Sequence, residues 1–231
     1  MSFVWIAPGT FTMGSPSSEP RRYDSEGPQH RVTISRGFYL GKYEVTQEQW
    51  ESVIGTRPWL GEEYVEVAPN NPAVYVSWGD TQILIHRLNE AAGDSLYQLP
   101  SEAEWEYACR AGTTTSWSFG NDWLQLWDYA WYIENTYDRG QNHAVQVGTR
   151  LPNPWGLFDM HGNVSEWCQD WYEDYSANNQ TDPSGPSKGS YRVYRGGGYF
   201  SVYPSTRSAY RGFSVPDNRS YTIGVRLVRT K

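Results

Sequence analysis

Only two of the 231 residues are cysteine, Cys109 and Cys168. Two thiols make no disulfide framework, and without a C-x-x-C pair there is no tetrathiolate zinc site. Both lie in segments that read as helical or buried, so free, buried thiols are expected. Long apolar runs are missing as well. None approaches the ~18 residues of a spanning helix, so no membrane span is read. The start, MSFVWIAPG, has neither a basic n-region nor a long apolar h-region. No export signal is therefore read, and the cytoplasm is the default compartment. Positive charge is short, with 19 Lys and Arg against 26 Asp and Glu for a net charge of -7. That balance argues against general affinity for nucleic acid or anionic membranes.

Aliphatic content is modest, at 38% hydrophobic residues overall, yet 16% are aromatic and 12 are tryptophan. The core is expected to be built from large rings, whose N–H and O–H groups need partners. Residues 3 to 13 read as two short strands around Pro8-Gly9. Residues 14 to 30 read as a mobile polar loop. Arg31 to Ile34 and Phe38 to Tyr43 read as a strand pair joined at Arg36-Gly37. Three helices follow. Thr46 with Gln49 opens the first and Gly55 ends it; Ser77 opens the second and Gly93 ends it; Ser101 with Glu104 opens the third and Gly112 ends it. The second carries an apolar stripe of Thr81, Leu84, Ile85, Leu88 and Ala92, and the third turns Trp105, Ala108 and Cys109 inward. Residues 113 to 151 are irregular, and so long a stretch is either functional or held by something extra, such as a metal. Helices early and strands at both ends point to an α+β chain, read as a single domain over 1–231.

The last stretch, Tyr191 to Val228, is unusual. Strand-like runs begin and end it, three glycines (Gly196 to Gly198) follow the first run, and between them lie Tyr, Phe, Ser, Thr, Val and Gly with no Lys or Glu. Glycine runs suit sharp bends or close backbone approach. Tyr, Ser and Gly together are the chemistry of recognition surfaces. The regularly placed Arg195, Arg207, Arg211, Arg219 and Arg226 are expected to make structural ion pairs and carbonyl hydrogen bonds rather than a phosphate site. No Ser-His-Asp or paired-carboxylate arrangement is argued from spacing.

Six segments together resemble the formylglycine-generating-enzyme (sulfatase-modifying factor) domain family: PGTFTMGS, GFYLGKYEVTQEQW, LPSEAEWEYACRAGT, NPWGLFDMHGNVSEWCQDWY, YRGGGY and RSAYRG…PDNR…IGVRLV. The resemblance implies a C-type-lectin-like fold of small twisted antiparallel sheets, two to three helices and much irregular structure, with bound calcium. Asn163, Val164 and Glu166 of GNVSEW, and Asn135, are the candidate calcium ligands, since hard oxygen donors suit this ion. His161 is expected to be a buried hydrogen bonder rather than a base. In the family's oxidases, two cysteines of the terminal stretch bind copper. Aligning on RGGGY places those positions at Ser201 and Thr206, so no copper is expected, because Cu(I) needs soft sulfur. Nor do His30, His86, His143 and His161 have the H-x-x-x-H-x-E spacing of the iron-dependent relatives.

The terminal stretch also resembles the variable region of diversity-generating retroelement target proteins, whose framework reads RGGSW…RSAYR…PDNR…IGFR. The candidate variable region is 195–226. Its variable positions are Phe200, Ser201, Val202, Tyr203, Ser205, Gly212, Phe213, Ser214, Val215, Asn218, Ser220, Tyr221 and Thr222, with Tyr199 beside them as a further contact residue. The resemblance implies a non-catalytic protein that displays these side chains to a protein or surface-polymer ligand. The competing expectation is an oxidase of altered chemistry or an inert interaction module of the same family.

Overall fold

The computed structural model describes residues 1–137 and 140–230; residues 138, 139 and 231, which fall within the irregular stretch and at the end of the expected domain, lie outside the described set. The chain forms small sheets and short helices joined by long irregular segments. β1 (Phe3–Ile6) pairs antiparallel with β4 (Phe38–Gly41), which pairs with β11 (Val228–Arg229), which pairs with β5 (Tyr97–Gln98). β2 (Gly9–Met13) pairs antiparallel with β3 (His30–Ile34), and β3 lies parallel to β7 (Gln180–Thr181). The third sheet runs β10 (Ile223–Gly224), β6 (Ser165–Trp171), β8 (Arg192–Arg195), β9 (Gly212–Ser214), with only the β10–β6 pair parallel. The strands at either side of Pro8-Gly9 therefore belong to different sheets, and so do those at either side of Arg36-Gly37. Each local run was legible, but its partner is set by long-range packing.

The three expected helices form, α1 (Gln47–Ile54), α2 (Trp78–Ala92) and α3 (Glu102–Arg110), each opened by a reciprocal capping box at Thr46, Ser77 and Ser101. Gly55 and Gly93 end the first two in the left-handed conformation. α3 stops one residue before Gly112, at Ala111, which takes that conformation itself with φ 47°. On α2, Thr81, Leu84 and Ile85 are buried, Leu88 is half-buried and Ala92 is exposed, so the last turn leaves the core. Two single-turn helices, α4 (Leu126–Tyr129) and α5 (Ile133–Tyr137), interrupt the irregular stretch.

Alternation along the strands divides the interior in two. Cys168, Val193 and Val228 face one cluster with Trp105, Ala108 and Cys109 of α3. Their neighbours Trp167 and Leu227 face the other, with Trp50, Leu84 and Ile85 of α1 and α2. Successive strand side chains point to opposite faces, so these strands serve both clusters. Both cysteines are free and buried.

The polar segment 14 to 30 is tied down rather than loose. Glu26 is fully buried, accepts from Ser15 Oγ at 2.8 Å and from the backbone N–H of Tyr23 at 3.0 Å, and pairs with Arg207 of the terminal stretch. No helix among the described residues is long and apolar enough to cross a membrane.

Removing the Ser101 hydroxyl (Ser101→Ala) takes an acceptor from the backbone N–H of Glu104 at 3.1 Å. Urea denaturation should show a loss of about 1 kcal/mol.

Candidate functional site

The terminal stretch leaves β8 through three glycines, the first two in a backbone conformation that disfavours a side chain. Gly196 and Gly197 have φ of 97° and 70°. A Cβ on Gly197 would meet the Ser205 carbonyl at 2.6 Å, and one on Gly196 would meet the Trp105 ring at 3.1 Å. Close approach at this turn brings the following segment back against its own later residues.

Four buried arginines then fix the stretch. Arg195 donates to Glu102 Oε1 at 2.9 Å, Glu106 Oε2 at 2.5 Å and the Ser208 carbonyl at 2.7 Å. Arg211 holds both oxygens of Glu102 at 2.6 and 2.8 Å, and the carbonyls of Ser25 and Glu173. Arg207 holds both oxygens of Glu26 and also reaches Glu19 at 2.7 Å. Arg226 forks onto Glu166 at 2.7 to 3.0 Å and reaches the carbonyls of Gly41 and Phe158. Burial alone would raise the Glu102 carboxyl, but Arg211 and Arg195 outweigh it and hold the group below the usual range. Arg219 differs: it is exposed and pairs with Asp80 on the surface. The expected structural role of the arginines thus fits all five, four of them in the interior.

Between these anchors the side chains divide. Phe200, Val202, Phe213 and Val215 are 45 to 52% exposed. Ser201, Tyr203, Ser205, Ser214, Asn218, Ser220, Tyr221 and Thr222 are half-buried. Tyr199 and Gly212 are buried and do not belong to a displayed face. The Tyr199 ring enters the core that holds Trp167, and a Cβ on Gly212 would overlap the Tyr194 ring at 2.0 Å. The aromatic residues fall into three groups. Tyr221 packs 5.0 Å from Tyr64 and 6.5 Å from Phe200. Tyr203 stacks 5.1 Å from the half-exposed Trp123. Phe213 lies 4.4 Å from Tyr172 and 5.3 Å from Tyr191. Sequence reasoning missed Tyr64 and Trp123, because they come from distant, irregular segments that only the fold brings alongside.

Ser201 and Thr206 are engaged by the backbone around them. Ser201 Oγ accepts the Gly198 N–H at 2.9 Å. Thr206 is fully buried; its hydroxyl donates to the Tyr203 carbonyl at 2.8 Å and accepts from the Trp117 indole at 3.0 Å. His161 is buried behind them, with Nδ1 donating to the Thr206 carbonyl at 3.0 Å and Nε2 accepting the Ser118 N–H at 3.1 Å. Burial pushes its ring down to about 4, so it is neutral at ordinary pH and both nitrogens are occupied.

The family model described as the sulfatase-modifying factor enzyme 1-like domain matches residues 1–231. The chain belongs to this family. It is similar to the formylglycine-generating enzyme of Mus musculus, 28% identical over an alignment 282 positions long that covers 96% of this chain and 73% of the relative. Among solved structures it is similar to Treponema denticola variable protein 1, with a TM-score of 0.88 and 26% identity over 99% of this chain and 95% of the other. It is also similar to PvdO from Pseudomonas aeruginosa, with a TM-score of 0.87 and 31% identity over 99% and 94%. The α+β architecture is accordingly the C-type-lectin-like fold of this sulfatase-modifying factor family.

The residues named for calcium make protein contacts in this arrangement. The ion takes 6–8 oxygen ligands. Asn163 Oδ1 instead accepts the Val145 N–H at 3.0 Å, and its amide donates to Glu44 and to the Val145 carbonyl. Both Glu166 oxygens face Arg226, and one also accepts the Trp105 indole N–H at 2.6 Å. Asn135 closes a local turn between the Tyr132 N–H and the Ala130 carbonyl. Among the described residues, no group of three or more His, Cys, Asp or Glu is arranged to hold a metal.

Arg226→Met would strand Glu166 in the interior, and chemical denaturation should show a loss of about 3–5 kcal/mol, against under about 1 kcal/mol for the exposed Arg219→Met. Tyr199→Ala should cost about 3–5 kcal/mol and Phe200→Ala within about 0.5 kcal/mol, measured the same way. The His161 ring binds its proton less readily folded than unfolded, so the unfolded chain holds more protons between about pH 6.5 and 4. Its contribution is present above that window and lost as pH falls through it. His161→Gln should flatten this part of the stability curve.

Proposed function

We propose that this member of the sulfatase-modifying factor family is a non-catalytic binding protein that displays a diversified surface on its C-type-lectin-like scaffold. One observation carries the reading: the positions that align with the copper-binding thiols of the family's oxidases hold hydroxyls, at Ser201 and Thr206, already engaged by the Gly198 N–H and the Trp117 indole. A hydroxyl does not replace a thiolate toward Cu(I). Cys109 and Cys168 are buried in other parts of the fold and supply no substitute. The likeness to a protein titled a variable protein supports the second half of the reading.

The display surface would comprise Phe200, Ser201, Val202, Tyr203, Ser205, Phe213, Ser214, Val215, Asn218, Ser220, Tyr221 and Thr222. Rigid rings supply contact area and the small polar residues supply adaptable hydrogen bonds. Loops held by a rigid remainder tolerate such change. Several separate aromatic groups suit a broad ligand, a protein or surface polymer, better than a small metabolite.

The second reading, an oxidase of this family, is favoured by the similarity to the mouse formylglycine-generating enzyme. Titration with Cu(I) and an assay for oxidation of a cysteine-containing peptide separate the two. No stoichiometric copper and no turnover is the expected result, and turnover with bound Cu(I) would overturn it. For diversification, the genomic locus should hold a near-identical repeat that differs at adenines, with a reverse-transcriptase gene nearby. Absence of both removes that part of the reading and leaves the binding part standing.

A further inference from the structure

A separate site lies away from the display surface, where the segment 173–186 crosses the end of β6 and the start of α3. It borders a cavity of about 90 Å³, open on one side. Asp170 sits in its wall and is 4% exposed. Its Oδ2 accepts the Glu102 N–H at 2.8 Å and so caps α3. Its Oδ1 has no protein partner. Gly185, with φ of 71°, is what leaves that oxygen uncovered, since a Cβ there would lie 3.2 Å from it and 2.9 Å from the Asp170 Cβ.

His30, 5% exposed, lines the same cavity. Its Nδ1 donates to the Pro28 carbonyl at 3.1 Å, which leaves Nε2 as a bare acceptor. Four carboxylates line the cavity, Asp170, Glu102, Glu173 and Asp174, against the single guanidinium of Arg211. That guanidinium is spent on Glu102 and on two backbone carbonyls. Burial first, and Glu102 second, push Asp170 up to about 7.

A carboxylate oxygen and an imidazole nitrogen that meet in one open cavity, neither bonded to a protein donor, suit a cation that brings its own hydrogens. A metal ion is poorly served, because no set of three ligating side chains is assembled among the described residues. A guanidinium prefers a two-oxygen fork, and only one Asp170 oxygen is free. An ammonium has three donors, no acceptor and a narrow stem that suits the apolar walls of Met13 and Ala103. We propose that this cavity binds a primary ammonium group, carried either by a small alkylamine or by a lysine side chain of a partner protein. The inference does not depend on the display surface or on the absence of catalysis.

The test is an NMR titration of the full chain, following the Trp171 indole and the Ala103 amide. The probes are n-butylamine, Nα-acetyl-lysine methylamide, its neutral analogue Nα-acetyl-norleucine methylamide, and a lysine-containing decapeptide. Saturable shifts with the amines, and binding of the norleucine analogue at least about tenfold weaker, are expected for a site that reads charge. Asp170→Asn keeps the volume and the helix cap but loses the charge, and should also weaken amine binding about tenfold. A peptide that binds more tightly than butylamine assigns the site to a protein lysine, and a weaker one assigns it to a free amine. Equal binding of the neutral analogue overturns the proposal, as does a folded Asp170→Asn with unchanged affinity, or no saturable shift by about 50 mM amine. If Asp170→Asn fails to fold, the contrast between the lysine and norleucine probes on the unaltered protein decides.

Discussion

The fold depends on the ion-pair network that joins α3 to the terminal stretch. Glu102 and Glu106 lie one turn apart on the helix, and Arg195 bridges them while Arg211 takes both oxygens of Glu102. Arg110 adds a third guanidinium to the network, the second on Glu106, and carries it to the Gly14 carbonyl. Buried charges are costly to desolvate, and geometry of this quality is what offsets the cost. These guanidiniums also satisfy backbone carbonyls of irregular segments that no sheet or helix would satisfy. That is how a chain with so little regular structure keeps its polar backbone paired.

The same network separates shape from surface. The anchors of the terminal stretch, Arg195, Arg207, Arg211 and Arg226, face inward and bind residues far away in sequence, whereas Phe200, Val202, Phe213 and Val215 face outward between them. Exchange of an outward side chain leaves the ion pairs and the glycine turn intact. A scaffold of this kind suits a binding surface that varies, and equally a family in which related chains gain or lose a reaction at the same loop. In this chain the Ser201 and Thr206 hydroxyls serve the backbone of that loop.

Much of the architecture was legible beforehand. The capping boxes at Thr46 and Ser101 are local chemistry, written within four residues, and both formed; the helix opened at Ser77 proved to have one as well, with Asp80. Strand partners were less legible. The runs at 3–6, 9–13, 30–34 and 38–41 formed, but they are exchanged between two sheets, because pairing answers to packing over the whole chain. Asn163 and Glu166 looked like calcium ligands from motif alone. The fork of Arg226 onto Glu166 spans 60 residues, and no local pattern reveals it.

What the sequence determined by itself was family, fold class, the starts of the three main helices and the structural role of the framework arginines, since each rests on residue identity or short-range spacing. Tertiary structure alone decided that Tyr199 and Gly212 are interior while Phe200 and Phe213 are not, and that Asp170 and His30 open into one cavity. Burial at these positions is a property of which distant segments close over a side chain, and neighbours in the sequence carry no record of it.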